Sequence, residues 1–391
     1  LSLFCVLALC LGLLPATALA AGNWTYAPKS GDQSYDSITR DGITIAVEHE
    51  ADNPTNLIVT TSSSTESIPA DGVVDLRGTI TDSSGTKYTI TQIDSCSYYI
   101  TSLILPDTVT SVYRLAFFLK SNLQSITFPN NLTSIGEKAF EGCSALTAAE
   151  LSGTKITAVP DYAFNQCASL TTVSLPEGLT SIGLLAFGEC SNLASVNLPS
   201  TLTSIGGSAF YRCSALTEIT IPSGVEAIGY RTFESCSSLS KVTLSEGLKS
   251  IGQNAFYSCT SLSEITIPST VTSIEQDAFG SCSALQRLTV LAEVPPAIVA
   301  LPNIPYIFVP ETSVTAYKEA SGWSSHADRI YPIGYDPGAT YSISAAPASL
   351  DFGPLTAGEA LPEAKTATVS NTGTGTVEGQ LPSSAKYTIT E

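Results

Sequence analysis

Apolar and polar positions recur in a fixed order between residues 109 and 290. The clearest copy reads LTSIGGSAFYRCSALTEITIPSGV, at residues 202–225. Phenylalanine returns at Phe117, Phe140, Phe164, Phe187, Phe210, Phe233, Phe256 and Phe279, at intervals of 23 residues with a single interval of 24. Cysteine follows all but the first Phe by three residues, at Cys143, Cys167, Cys190, Cys213, Cys236, Cys259 and Cys282. An aliphatic residue precedes Phe by five, as at Ile135, Val159, Ile182, Ile205, Ile228, Ile251 and Ile274. A period of this kind marks a solenoid. Within one unit, Ile205, Ala209, Phe210 and Cys213 share the spacing of one helical face, which predicts a short helical segment. From Leu216 the period becomes two, with Ile219 and Ile221 on one side and Glu218 and Thr220 on the other, which predicts a strand. Pro222 and Gly224 then turn the chain toward the next unit. The apolar face of one such coil is too small to offset the entropy of ordering its backbone. Stacking must therefore supply the stability, Phe on Phe and strand beside parallel strand.

The pattern LTSIGxxAFxxCxxLxxVxLP resembles the BspA-like leucine-rich repeats of bacterial cell-surface proteins, over residues 93–290. The chain departs from the pattern at Lys120, which stands where Cys is expected, and at Glu275, which replaces Gly after Ile274. It departs again in ELSGTKITAVPDYAF, where one residue is inserted and Pro160 replaces Gly. These departures put the local coil geometry in question and leave the fold unchanged. The resemblance implies a β-rich α/β repeat solenoid closed by β caps. It further implies a surface role, with extracellular or cell-surface proteins as partners and adhesion to host or neighbouring cells as the task.

The regions flanking the repeats carry other signals. Residues 1–20 form an apolar run ending in Ala-Leu-Ala, which predicts a secretory signal peptide whose basic leading region is missing. The run is short for a membrane span, and no second candidate follows it. Residues 21–92 alternate as strands and predict an N-terminal β cap, with a hairpin turning at Ser83, Ser84 and Gly85. Residues 291–334 predict a closing cap, with a strand over residues 306–309 and a helix from near Ser313 to Gly322. Tyr317 and Trp323 are expected in its core. Residues 335–391 predict a linker and the beginning of an immunoglobulin-like sandwich, which at its usual ~100 residues would extend past the end of the chain.

Composition narrows the functions. The net charge of −18 argues against nucleic acid and anionic lipid as partners. Charged residues make up only 13%, so hydroxyls do much of the work of keeping the surface in water. Two of the ten cysteines fall in the apolar leader, leaving Cys96 and the seven ladder cysteines. Their period sets neighbouring Cβ vectors parallel, which favours buried thiols over disulfides. No spacing of His and Cys suggests a metal, and no cofactor fingerprint or nucleophile motif occurs. The two histidines, His49 and His326, lie in opposite caps, and sequence adjacency to acids does not make either a general base. The chain therefore reads as a non-enzymatic scaffold.

The candidate partner-binding face is the outward side of the repeat strands. One column is Ser125, Ala148, Thr172, Ser195, Glu218, Lys241, Glu264 and Arg287. The other is Thr127, Glu150, Ser174, Asn197, Thr220, Thr243, Thr266 and Thr289. With rungs ~4.8 Å apart these form a flat, hydroxyl-rich ladder. It serves either as a ligand platform or as an ordinary strand surface whose alternating charges satisfy each other. The columns hold one Arg and no aromatic, although hot spots favour Trp, Tyr and Arg. Two further roles stay open: a non-binding stalk, or the targeting region of a larger secreted enzyme whose active domain lies beyond residue 391.

Overall fold

The computed structural model describes residues 22–29, 35–60 and 67–335, together with the strands Ile343–Ala346 and Thr368–Asn371. The expected signal peptide lies outside the described residues, as does most of the expected immunoglobulin-like module. Residues up to Ile333 form one compact unit and those from Gly334 a second. In the second unit the two described strands pair antiparallel, Ile343 opposite Asn371.

The first unit is a β-solenoid of about ten turns with a repeat of about 23 residues. Each regular coil contributes two strands. The longer one is Glu218–Ile221 in the unit quoted above, paired in parallel with Lys241–Leu244. The shorter is a dipeptide such as Ala227–Ile228, paired in parallel with Ser250–Ile251 and through it with Ser273–Ile274. Register follows the sequence period throughout, so chemically equivalent residues stack.

The segment between the shorter strand and Cys is not helical, contrary to its apolar spacing. Its backbone N–H groups alternate between two destinations. Ser208, Phe210 and Arg212 donate to Tyr230, Thr232 and Glu234 of the next coil at 2.8, 2.9 and 2.8 Å. Between them, Ala209, Tyr211 and Cys213 close tight turns onto Gly206, Ser208 and Phe210 at 3.2, 2.9 and 3.2 Å. Ser208 and Arg212 hold left-handed φ angles of 56° and 57°, which no α-helix tolerates in its interior. The same apolar residues still face inward, because a chain of turns also brings Phe210 and Cys213 to one side. Every one of these N–H groups is paired, so the segment stays ordered without a helix.

Inside, the phenylalanines form one column from Phe117 to Phe279, with centroids 4.8 to 5.6 Å apart and nearly parallel planes. Each ring is at most 1% exposed. The seven ladder cysteines are buried and form no disulfide. Their thiols donate to a backbone carbonyl one coil back, as Cys213 Sγ does to Phe187 O at 3.2 Å. This is a bond that a small apolar residue could not make. The departures from the repeat are absorbed locally. The inserted residue widens the turn before Ala158–Val159, where buried Thr154 donates to Leu151 O at 2.7 Å, and the ladder resumes in register with Ser181–Ile182. Glu275 accepts the N–H of Gln253 at 2.9 Å.

The strands of the N-terminal region close into a ring. Trp24–Ala27 pairs with Asp36–Arg40, which pairs with Ile43–Glu50, then Asn53–Val59, then Lys87–Ile93. Lys87–Ile93 returns through Ile80–Thr81 to Trp24–Ala27, so the cycle closes. The hairpin falls at Ser83–Ser84–Gly85 as expected. Asp82 Oδ1 accepts from the N–H groups of Ser84 and Thr86 at 2.9 and 2.8 Å, and Gly85 takes the φ of 87° that the turn requires. Lys87–Ile93 also pairs with Ser111–Val112, which makes the ring continuous with the solenoid's shorter ladder.

At the other end, Tyr306–Val309 continues the longer ladder beside Arg287–Val290, and Ile330–Pro332 closes it. A short helix, Val314–Glu319, lies between them. Tyr317 and Trp323 are fully buried in an edge-to-face pair. Their polar atoms reach Ala292 O and Pro296 O, each at 2.8 Å, which explains how both rings can be buried without an orphaned donor.

Candidate binding face

The longer strands alternate as their sequence predicts: Ile219 and Ile221 are buried while Glu218 and Thr220 are exposed. The candidate residues come together in two in-register groups. Glu218 stands opposite Lys241 and Thr220 opposite Thr243; Glu264 stands opposite Arg287 and Thr266 opposite Thr289. Backbone pairing lapses between the strands Lys241–Leu244 and Glu264–Ile267, although the two remain neighbours. The alternating charges do not all satisfy one another. Lys241 Nζ lies 3.2 Å from Glu218 Oε2, an exposed pair. Among the described residues neither Glu264 nor Arg287 forms an ion pair.

Hydroxyls separate into two kinds. Thr147, Thr171, Thr217 and Ser240 precede the outward columns, and each donates to the carbonyl one coil back, at 3.0 to 3.4 Å. Toward the N-terminal end of the face, Ser125 donates to Ser102 at 2.8 Å and Ser174 to Glu150 at 2.6 Å. Thr220, Thr243, Thr266 and Thr289 make no side-chain hydrogen bond among the described residues. Thr127, Thr172, Ser195 and Asn197 likewise make none among the described residues, so unspent polar capacity runs along the whole face.

The C-terminal half acquires the aromatic rings that the repeat columns lack. Because Tyr306–Val309 adds to the ladder, Tyr306 stands opposite Arg287 and Phe308 opposite Thr289; Tyr331 then stands opposite Phe308. The Tyr306, Phe308 and Tyr331 rings are neighbours, with centroids 6.2 to 6.5 Å apart. The Arg287 guanidinium lies 4.7 Å from the Phe308 centroid. The strand at Tyr306 was legible in the sequence, and its alternation of Tyr and Phe with Ile and Val was the signal that these rings face outward. The end of the 23-residue period hid their membership of the columns.

Other reactive side chains are held in structural roles. His49 Nε2 is 3.0 Å from Asp36 Oδ2 and 2.8 Å from the Tyr26 hydroxyl, which itself donates to Asp36 at 2.8 Å. Tyr26 stacks on Tyr88 at 4.2 Å. Burial, then the Asp36 carboxylate, raises the Tyr26 pKa and keeps the phenol a hydrogen-bond donor. At the opposite end, burial and Arg329 lower the pKa of His326. Burial pushes the Cys190 and Cys236 thiols up to about 12, which leaves them poor nucleophiles. Among the described residues no group of His, Cys, Asp and Glu could hold a metal ion, and no helix is long and apolar enough to cross a membrane.

The two parallel ladders, the repeat period and the outward face define a leucine-rich-repeat solenoid. The chain belongs to the BspA type leucine rich repeat region family, whose model matches residues 91–217 and 185–295 in six copies, just over half of the sequence. Solved structures similar to it include a leucine rich repeat protein of T. pallidum, at 23% identity and TM-score 0.43 over 57% of this chain and 90% of that one. A leucine rich cell surface protein of Faecalibacterium prausnitzii is similar at 21% identity and TM-score 0.37, over 78% and 97% of the two chains. The pneumococcal vaccine antigen PcpA is similar at 15% identity and TM-score 0.36, over 76% and 96%. No curated protein matches the chain.

Proposed function

We propose that this chain is a protein-binding scaffold of a bacterial cell surface and that it works in adhesion through the open strand face. The observation that carries this reading is the row of exposed threonine hydroxyls at Thr220, Thr243 and Thr266, unspent among the described residues while the neighbouring hydroxyl row is bonded to the preceding coil. Membership of the BspA-type family and similarity to a leucine rich cell surface protein agree with a surface location. A rigid ladder suits the task because its donors and acceptors are fixed before a partner arrives, which lowers the ordering cost of binding.

The test is a binding screen of the full chain against extracellular-matrix and cell-surface proteins, beside a variant carrying Thr220→Lys, Thr243→Lys and Thr266→Lys. Saturable binding that the variant loses supports the face as the site. Binding that survives moves the site to the caps or the turn side. Absence of binding to every partner favours a stalk.

A further inference from the structure

We propose that the C-terminal end of this face reads a carboxylate: Arg287, seated on Phe308, receives an aspartate or glutamate side chain from an extended segment of a partner protein. The inference rests on the reading of the strand face as the binding surface.

Arg287 differs from most of the other arginines of the chain; Arg212 is likewise exposed and stacked, on Tyr211, but it lies in the turn segment and not on the strand face. Arg77, Arg114 and Arg231 each hold a carboxylate of this protein. Arg40 is spent on backbone carbonyls of Gly22, Asp75 and Arg77. Arg287 is exposed and its guanidinium makes no hydrogen bond or ion pair among the described residues, although Glu264 stands opposite it in the ladder. Its one contact of note is the stack on Phe308.

That stack orients the group. Phe308 is 3% exposed and flanked by Tyr306 and Tyr331, so the ring does not move aside. A planar guanidinium lying over an aromatic face keeps its N–H donors at the rim, where a carboxylate can take two of them side by side. Thr289 on the same strand and Thr266 on the adjoining one add hydroxyls unspent among the described residues. Tyr306 and Tyr331 supply apolar surface next to the charge, which a small carboxylate ion would leave unused and an apolar neighbour of the acid in a peptide would cover. The net charge of −18 does not forbid an acidic segment, since exposed charges are screened beyond ~8 Å at physiological salt. Glu264 is the internal competitor for Arg287.

The test selects phage-displayed random dodecapeptides on the full chain and titrates the enriched peptides at physiological salt by fluorescence anisotropy. The expected winners carry Asp or Glu beside an aromatic or aliphatic residue. Arg287→Ala should weaken them by about tenfold or more, the loss that hot-spot truncation brings. Arg287→Lys should fail to restore them, because an ammonium cannot bind bidentately. Glu264→Gln should tighten them severalfold. Unchanged thermal melting of all three variants establishes that the fold is kept. Basic or uncharged winners, full binding by Arg287→Lys, or no enrichment would overturn the proposal. If binding is lost in Thr220→Lys with Thr243→Lys but kept in Arg287→Ala, the face stands and the carboxylate site falls. If neither change matters, both readings fall.

Discussion

The N-terminal ring and the repeat solenoid solve the same problem, satisfying a β backbone away from water, by opposite means. The ring closes on itself, with strands far apart in sequence such as Trp24–Ala27 and Ile80–Thr81 placed side by side. Its polar fixtures are used once. Arg40 lies over Trp24 at 4.4 Å and donates to the carbonyls of Gly22, Arg77 and Asp75. Asp75 is buried, and burial alone would raise its pKa, but the guanidinium and backbone hydrogen bonds from Arg77 outweigh that and hold it below the usual value. The solenoid instead repeats one solution in every coil: a stacked Phe, a thiol bonded to the carbonyl behind it, and alternate N–H groups reaching into the next coil. Damage to the ring should therefore stay where it is made, and damage to the solenoid should travel.

Alkaline titration is the broadest way to sharpen this contrast, because it acts on many coils together. Burial holds the thiols of Cys143, Cys190, Cys236 and Cys282 at about 12, against 9.0 for an unperturbed thiol. The unfolded chain releases these protons first, so their contribution is fully present below about pH 9 and is lost as pH rises toward about 12. Denaturant unfolding across this range should show a flat stability and then a steep fall. A variant with Cys190→Ala and Cys236→Ala should fall less steeply.

Phe210→Ala comes next in size. The ring is fully buried, 5.5 Å from both Phe187 and Phe233, so its removal should cost about 3–5 kcal/mol. Amide exchange should then speed up in the coils on both sides. An effect confined to one coil would break the account of a continuous stack.

In the ring, Arg40→Met keeps much of the volume but strips three carbonyls of a charged donor, for about 2–3 kcal/mol. Lost exchange protection should stay within residues 22–93, while the Phe column keeps its own. Spread into the solenoid would remove the distinction between the regions.

The smallest effect probes the turns that replaced the expected helix. Ser281 is exposed at a φ of 56°. Ser281→Val should destabilise by about 1–2 kcal/mol, since a β-branched residue resists the left-handed region. Ser281→Gly should leave stability within about 0.5–1 kcal/mol, as eased strain offsets added freedom of the unfolded chain. Equal melting of the two variants would argue against left-handed turns.

Much of this architecture could be read from the residues. The Phe and Cys periods announced the stacked core, the alternation at residues 218–221 announced the longer ladder, and Ser83–Ser84–Gly85 announced the hairpin. The shorter ladder and the turns were missed for one reason. Ile205, Ala209, Phe210 and Cys213 have the spacing of a helix face, and a single coil does not disclose that Phe210 N–H is bonded to Thr232. The ring was missed because closure depends on the meeting of strands more than fifty residues apart, as Trp24 and Ile80 are. On the binding face the threonine and charge columns were legible, whereas the aromatic end was not, since it enters through a strand outside the repeat.

The sequence by itself determined which side chains must stack, because a fixed period in parallel register carries each residue onto its counterpart. Tertiary structure alone decided where the backbone N–H groups go and which exposed side chains meet. Those outcomes depend on neighbours that one strand or one coil does not contain. Arg287 shows the difference: its column and outward direction follow from alternation, but its seat on Phe308 exists only once the cap has joined the ladder.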